Sequence, residues 1–170
     1  MNFNEVRSNI TARRNYLGVL MLVFILDQWS KVFIMKNFAL GSTVEHIEGF
    51  LEFTYIRNTG VAFGLFSSSN SPTKAVLLSG LALLVVVMIV VYILRLPSDK
   101  YLSQFSLTII LAGALGNLYD RMAYGYVIDF IHLQFKGYYW PVFNVADTAI
   151  SLGVLGLAVE LIRDEIATRA

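Results

Sequence analysis

Residues 75–94 read AVLLSGLALLVVVMIVVYIL, and this apolar stretch decides the fold class. It contains 20 residues without a charge and lies between Lys74 and Arg95. An α-helix rises about 1.5 Å per residue, so a helix of this length crosses the roughly 30 Å of hydrocarbon in a bilayer. The stretch therefore predicts a transmembrane helix over residues 74–94.

Three further apolar stretches predict membrane-crossing helices of the same kind. They lie near residues 15–35, 101–121 and 141–162. Pro141 suits the first turn of the last helix, where a missing N–H leaves no hydrogen bond unmade. Four crossings place both termini on one side of the membrane and the long connections, residues 36–73 and 122–140, on the other. The prediction is an all-α membrane protein in which residues 1–170 form a single integral membrane domain.

The composition agrees with this class and excludes several functions. The chain is 56% hydrophobic and 15% charged, whereas soluble domains are usually about 45–50% apolar and about 25% charged. A net charge of +1 gives no basic surface for nucleic acid. The sequence has no cysteine, and His46 and His132 are far apart, so no metal site is expected.

The positive charges ahead of the first span indicate its orientation. Arg13 and Arg14 directly precede the apolar run, and positive residues favour the cytoplasmic side. Both termini are therefore expected in the cytoplasm. The same segment is similar to a cleavable signal peptide with small residues at Ala39 and Gly41, but the charge of Asp27 within the apolar run argues against cleavage.

Several polar side chains lie inside the predicted spans, at one level of the membrane. Ionisable groups there cost about 2.5–3.5 kcal/mol each on insertion scales, which makes them functional candidates. Asp27 lies about 18 Å along the first helix, with Lys31 one turn further on the same face. The others near this level are Asn117, Asp120, Arg121, Asp129, Asn144 and Asp147. Their convergence predicts a polar site in the outer half of the bilayer.

The two outer connections contain features beyond simple loops. Leu51–Tyr55 alternates apolar and polar residues, which predicts a short strand, and a turn signal follows at Arg57–Gly60. The polar run Ser67–Pro72 predicts a flexible lead into the second helix. A small β element on the outer membrane surface is expected. The connection 122–140 is expected to be a loop over the polar site, with His132 exposed to solvent.

Asp129 and Asp147 are the pair in this set that suggests a chemistry. Two close carboxyls do not both ionise readily, so one keeps a proton near neutral pH. The ionised carboxylate can take a proton from water, while the protonated one polarises a carbonyl and later protonates a leaving amine. This is the arrangement of an aspartic protease, which needs no metal or cofactor.

Other interpretations remain open at this point. Buried carboxylates also serve as proton relays in small proton-coupled transporters, although such sites usually lie near the midplane and are built from repeats. A purely structural membrane subunit would leave the membrane-embedded Asp147 unexplained. Asp27 and Lys31 can also neutralise each other as an i,i+4 pair, and Asn144 can cap the fourth helix.

Five segments resemble the bacterial lipoprotein signal peptidase (signal peptidase II) family. They are DQWSK at 27–31, RNTGVAFG at 57–64, GALGNLYDR at 113–121, VIDF at 127–130 and FNVAD at 143–147, in the order found in the family. The resemblance extends over residues 16–162. Two positions depart from the family pattern: Ser30 stands where Thr is common, and Gly113-Ala114 replaces a frequent Gly-Gly pair.

The resemblance implies a fold and a set of site residues. The implied fold has four transmembrane helices, a small periplasmic β-cradle and an outer loop over the site. The implied catalytic pair is Asp129 and Asp147. The implied site-lining residues are Asn58, Asn117, Arg121 and Asn144, and the implied supporting polar residues are Asp27, Lys31 and Asp120.

The resemblance also implies an activity and its setting. The reaction is hydrolysis of one peptide bond in a prolipoprotein, just before a cysteine that carries diacylglycerol. The implied partners are these prolipoproteins and membrane lipid, with no obligate protein partner, nucleic acid, metal or cofactor. The implied location is the bacterial cytoplasmic (inner) membrane, with the site toward the periplasmic side.

Overall fold

A computed structural model of the protein shows helices combined with a small sheet. The structure describes residues 3–60, 72–97 and 99–169, and the side chains of residues 15–60, 76–97 and 99–169. The elements of this part of the chain are α1 Phe3–Asn37, β1 Thr43–Ile47, β2 Leu51–Asn58, α2 Pro72–Arg95, α3 Tyr101–Tyr124, β3 Val127–Phe135, β4 Tyr138–Tyr139 and α4 Val145–Arg169. The VAFG part of one motif and residues 67–71 of the predicted flexible lead lie outside the described residues, and Pro72, the last residue of that lead, begins α2.

Four helices in the described ranges are long and apolar enough to cross a membrane. Their candidate spans are Asn15–Asn37, Val76–Arg95, Tyr101–Tyr124 and Val145–Arg169. The predicted architecture of four spanning helices is therefore confirmed. The first helix begins at Phe3, well before its apolar span, because neither proline nor glycine interrupts the polar residues ahead of it.

α3 is the central helix of the bundle. Of its span, 67% is buried inside the protein, compared with 6% for the span of α2, so α2 turns most of its apolar side chains outward toward lipid. α3 packs against α1, α2 and α4. Its contact with α4 is close because Gly153 of α4 presents only backbone to Ile110 and to the carbonyl of Ser106.

The strands form one antiparallel sheet in the order β1-β2-β3-β4. The strand predicted at Leu51–Tyr55 is present and continues to Asn58. β3 occupies the middle of the connection 122–140, where a loop was expected, because its β-branched and aromatic residues find a partner in β2, with Val127 opposite Asn58.

The sheet is held against the end of α1 by a small apolar cluster. Ile34 of α1, Tyr55 of β2 and Ile128 and Phe130 of β3 are all buried in it. At the start of β3, Gly125 ends α3 in the left-handed region with φ of 79°. This anchoring fixes the position of the β3 side chains relative to the helices.

The fourth helix begins at Val145, four residues after the predicted start at Pro141. The segment ahead of it pairs with the sheet instead of entering the helix. The backbone N–H of Ile131 donates to the Phe143 carbonyl at 2.7 Å, and the Phe143 N–H donates back at 3.0 Å. Because these bonds require extended backbone, the helix starts only after Asn144.

Candidate active site

Asp129 and Asp147 come together around one residue, Asn144. Asp129 lies on β3 and is 3% exposed, and Asp147 lies in the first turn of α4. The side-chain amide of Asn144 donates to Asp129 Oδ1 at 2.7 Å, and its backbone N–H donates to Asp147 Oδ2 at 3.2 Å. The two carboxyls therefore flank the same asparagine.

Asn144 caps α4 and lines the site at the same time. Its Oδ1 accepts the backbone N–H of Asp147 at 3.0 Å, while Asp147 Oδ2 accepts the backbone N–H of Asn144. This reciprocal pair is a capping box built from Asn and Asp. The arrangement fixes the amide of Asn144, so that its nitrogen faces β3 and Asp129.

Asn58 reaches Asp129 from the end of β2. Its Nδ2 donates to Asp129 Oδ2 at 2.8 Å, and its Oδ1 accepts the backbone N–H of Gly60, also at 2.8 Å. The pairing of β2 with β3 brings these residues together, with Asn58 opposite Val127 and Ile56 opposite Asp129. Both oxygens of Asp129 therefore accept an amide N–H.

Asn117 connects Asp147 to Lys31 of α1. Its Nδ2 donates to Asp147 Oδ1 at 2.8 Å. Its Oδ1 accepts from Lys31 Nζ at 3.0 Å and from Asn144 Nδ2 at 3.2 Å. Both oxygens of Asp147 are thus also occupied by N–H donors, one from α3 and one from the start of α4.

Lys31, Asp27 and Asp120 form a buried charge cluster next to Asn117. Lys31 Nζ lies 2.9 Å from Asp27 Oδ2 and 2.9 Å from Asp120 Oδ2, and all three residues are 0% exposed. Asp27 Oδ1 accepts the backbone N–H of Ala146 at 2.9 Å, and Asp120 Oδ2 accepts that of Ile128 at 3.2 Å. The cluster therefore ties α1 and α3 to the two segments that carry Asp129 and Asp147.

Arg121 is half-buried and lies in the last turn of α3. Its Nη1 donates to the carbonyl of Asn117 at 3.2 Å, and its Nη2 donates to the carbonyl of Gly60 at 3.4 Å. It therefore holds the turn after β2 close to the helix that positions Asn117. The predicted site-lining residues Asn58, Asn117, Arg121 and Asn144 thus lie in one connected set.

The surroundings of Asp129 change its protonation. Burial raises the pKa of Asp129 to about 7, and the negative charge of Asp147 adds to this rise. The hydrogen bonds from Asn58 and Asn144 oppose the rise because they favour the ionised form. Asp129 can therefore hold or release a proton near neutral pH, which is the property required of a dyad member.

Two features of the site region were missed from the sequence. Gln28, within the DQWSK motif, donates to Asp27 Oδ2 and to Asp120 Oδ1, each at 3.0 Å. His132 was expected to be an exposed loop residue, but it lies on β3 with Nδ1 2.9 Å from Glu52 Oε2. His132 and Glu52 are 80 residues apart in the chain and meet only because β2 pairs with β3. No local sequence pattern indicates this contact.

A metal site is not evident in the described part of the chain. Among those residues, no group of three or more His, Asp or Glu side chains is arranged to hold an ion. The carboxylate oxygens of Asp129 and Asp147 instead face amide N–H groups, whose positive ends repel a cation.

Comparisons with known proteins place the whole chain in a family. Residues 19–163 match the family model described as signal peptidase (SPase) II. A lipoprotein signal peptidase of Syntrophus aciditrophicus is 38% identical over 144 residues, covering 85% of this chain and 89% of the relative. One of Geobacter sulfurreducens is 40% identical over 152 residues, covering 89% and 94%.

A solved structure shows the same fold. It is described as a bacterial membrane enzyme studied by the in meso method at 2.3 Å resolution, and it superposes with a TM-score of 0.79 at 30% identity, covering 89% of each chain. Together with the family model, which spans most of the sequence, this likeness leads to one conclusion. The chain belongs to the signal peptidase II family and is an aspartic-type membrane peptidase.

Proposed function

We propose that Asp129 and Asp147 are the catalytic dyad with which this peptidase cleaves lipid-modified prolipoproteins. The observation that carries the assignment is the shared contact of both carboxyls with Asn144. The relatives are named lipoprotein signal peptidases, which supports a prolipoprotein as the substrate. The cut is placed just before the diacylglyceryl cysteine, so that the signal peptide leaves and the lipidated cysteine becomes the new N-terminus.

The proposed chemistry uses one water molecule and returns the dyad to its starting state. The water oxygen bonds to the scissile carbonyl carbon while Asp147 takes one water proton and Asp129 gives its proton to the carbonyl oxygen. The resulting gem-diol then collapses. The C–N bond breaks as the nitrogen takes the proton from Asp147, the carbonyl re-forms, and the remaining hydroxyl proton returns to Asp129.

The surrounding polar residues support this step in different ways. Asn58, Asn117 and Asn144 orient the carboxyls through hydrogen bonds of 2.7–2.8 Å. Arg121 keeps a cation beside the dyad, where it can orient substrate carbonyls. The buried cluster of Asp27, Lys31 and Asp120 serves as support beneath the site.

Family membership and the four spanning helices of the described chain make this a multi-pass protein of the bacterial inner membrane. We further propose that both termini are cytoplasmic and that the sheet forms a cradle on the periplasmic side. The pair Arg13-Arg14 ahead of the first span supports this orientation. The scissile bond of a substrate with its lipid in the outer leaflet would then meet the dyad at the outer interface.

The test is cleavage of a diacylglyceryl-modified prolipoprotein by the purified protein in detergent. Asp129→Asn and Asp147→Asn should each reduce kcat by about 10³-fold or more, since neither half of the proton exchange can proceed alone. Asp164→Asn is a matched control, because Asp164 is exposed and pairs with Lys100 at the other end of the bundle. Cleavage that survives either dyad change would rule out the assignment.

A further inference from the structure

Lys31 directs one of its three N–H groups away from the ion cluster and toward the dyad. An ammonium has three hydrogens and no acceptor. Those of Lys31 face Asp27 Oδ2, Asp120 Oδ2 and Asn117 Oδ1, at 2.9, 2.9 and 3.0 Å. Because Lys31 can only donate, the atom of Asn117 that faces it must be the oxygen.

This orientation decides what Asn117 presents to Asp147. With its oxygen turned toward Lys31, its nitrogen donates to Asp147 Oδ1 at 2.8 Å. The reversed amide would place an oxygen against Asp147, which suits only a protonated carboxyl. The Lys31 cation therefore favours the amide orientation that stabilises the ionised form of Asp147.

Asp129 lies one contact further from Lys31, because Asn144 Nδ2, which donates to Asp129, also donates to Asn117 Oδ1 at 3.2 Å. Its donors are the neutral amides of Asn58 and Asn144, whose own oxygens accept the backbone N–H groups of Gly60 and Asp147. The two carboxyls are therefore unequal. One receives its donor from an amide held by a buried cation, and the other from amides held by neutral backbone groups.

We infer that Lys31 is a positioning residue for the reaction: through Asn117 it makes Asp147 the ionised carboxylate that takes the proton of water and leaves the shared proton on Asp129. This inference rests on the proposed function of the dyad and gives each member its role. The charged groups around this path are Asp27 on α1, Asp120 and Arg121 on α3, Asp129 on β3 and Asp147 on α4.

The test is a charge-matched double variant, Lys31→Met with Asp120→Asn. The wild-type cluster of two carboxylates and one ammonium has a net formal charge of −1, and the variant keeps the same charge from Asp27 alone. In the pH profile of kcat, the acidic limb should move to higher pH by about one unit, because ionised Asp147 loses its charge-assisted donor. KM should change little, because Lys31 is fully buried and does not touch substrate.

Two further variants separate positioning from mere support. Lys31→Gln with Asp120→Asn keeps a neutral donor toward Asn117 and should give a smaller shift in the same direction. Gln28→Leu is the matched control, since Gln28 contacts Asp27 and Asp120 on α1 and α3 but not Asn117. It should lower the melting temperature while the acidic limb stays in place.

An acidic limb that stays unchanged in both double variants would overturn the inference, even if their stability falls. So would an equal shift in Gln28→Leu, which would mean that any damage to the cluster moves the profile. Failure of the proposed function is visible separately, as cleavage that persists in Asp129→Asn or Asp147→Asn. If those dyad variants are inactive and the acidic limb of the kcat profile does not move in the Lys31 double variants, only the role of Lys31 is refuted.

Discussion

Asn58 donates a 2.8 Å hydrogen bond from its side-chain amide to Asp129 Oδ2 across the β2–β3 pair. The orientation of this amide is fixed, because its oxygen accepts the backbone N–H of Gly60 at 2.8 Å. A donor of this kind stabilises the ionised carboxylate and therefore opposes the rise in the pKa of Asp129 that burial causes. Asn58 thus helps to set the pH above which Asp129 loses its proton.

The first prediction concerns Asn58→Ala. Wild-type kcat should fall above pH 7, because Asp129, with a pKa of about 7, must be protonated to act as the acid. Removing the Asn58 donor raises the pKa of Asp129 further, so the basic limb should move to higher pH by about one unit. The pH profile of kcat measures this, with the exposed Asn37→Ala as control. A limb that moves to lower pH would contradict the role of Asn58.

A second prediction concerns the pH dependence of stability. The pKa of Asp129 is about 7 in the folded protein, above the value of about 3.9 expected when unfolded. Its contribution to stability is therefore fully present below pH 4 and is lost as pH rises through 7, a loss on the order of a few kcal/mol. The melting temperature in detergent should fall between pH 5 and pH 8, and Asp129→Asn should flatten this decline. An equally steep decline in the variant would exclude Asp129 as its source.

A third prediction concerns metal removal. Both oxygens of Asp129 and both oxygens of Asp147 accept N–H groups, which point their positive ends into the place where a cation would bind. Cleavage should therefore persist in excess chelator at the rate seen without it. A zinc peptidase assayed in the same detergent provides the positive control for chelation. If chelator abolishes cleavage and added metal restores it, the dyad does not act without a metal.

The sequence predicted the parts of this structure that depend on local pattern. Charge-free stretches predicted the spans, and the i,i+3 spacing of Asn144 and Asp147 predicted that the two residues lie one turn apart. In the structure Asn144 precedes α4 and accepts the backbone N–H of Asp147 in its first turn. The i,i+4 spacing of Asp27 and Lys31 predicted their pairing, which the 2.9 Å distance confirms. In each case the residues concerned are close in the chain, so helix geometry alone brings them together.

Contacts between distant segments could not be predicted in the same way. Asn58 reaches Asp129 only because β2 pairs with β3 in one register, and a shift by one residue would turn the two side chains to opposite faces of the sheet. The contact between Lys31 and Asp120 likewise depends on how α1 packs against α3. The late start of α4 has the same cause, since Phe143 pairs with Ile131 of the sheet.

The last prediction concerns the close contact between α3 and α4, which sets the position of Asp147. A Cβ added to Gly153 would run into Ile110 and the Ser106 carbonyl, whereas one added to Gly80 of α2 meets nothing within 4 Å. Gly153→Ala should therefore destabilise the protein by about 1–3 kcal/mol, because the two helices must move apart.

Gly80→Ala is the matched control for the same substitution. It should be neutral or stabilising by up to about 1 kcal/mol, since alanine favours a helix more than glycine does. Thermal unfolding in detergent compares the two. Because α4 begins with the cap that holds Asp147, Gly153→Ala should also lower kcat, while Gly80→Ala should leave it unchanged. Equal melting temperatures and rates in the two variants would show that the α3–α4 spacing does not govern the dyad.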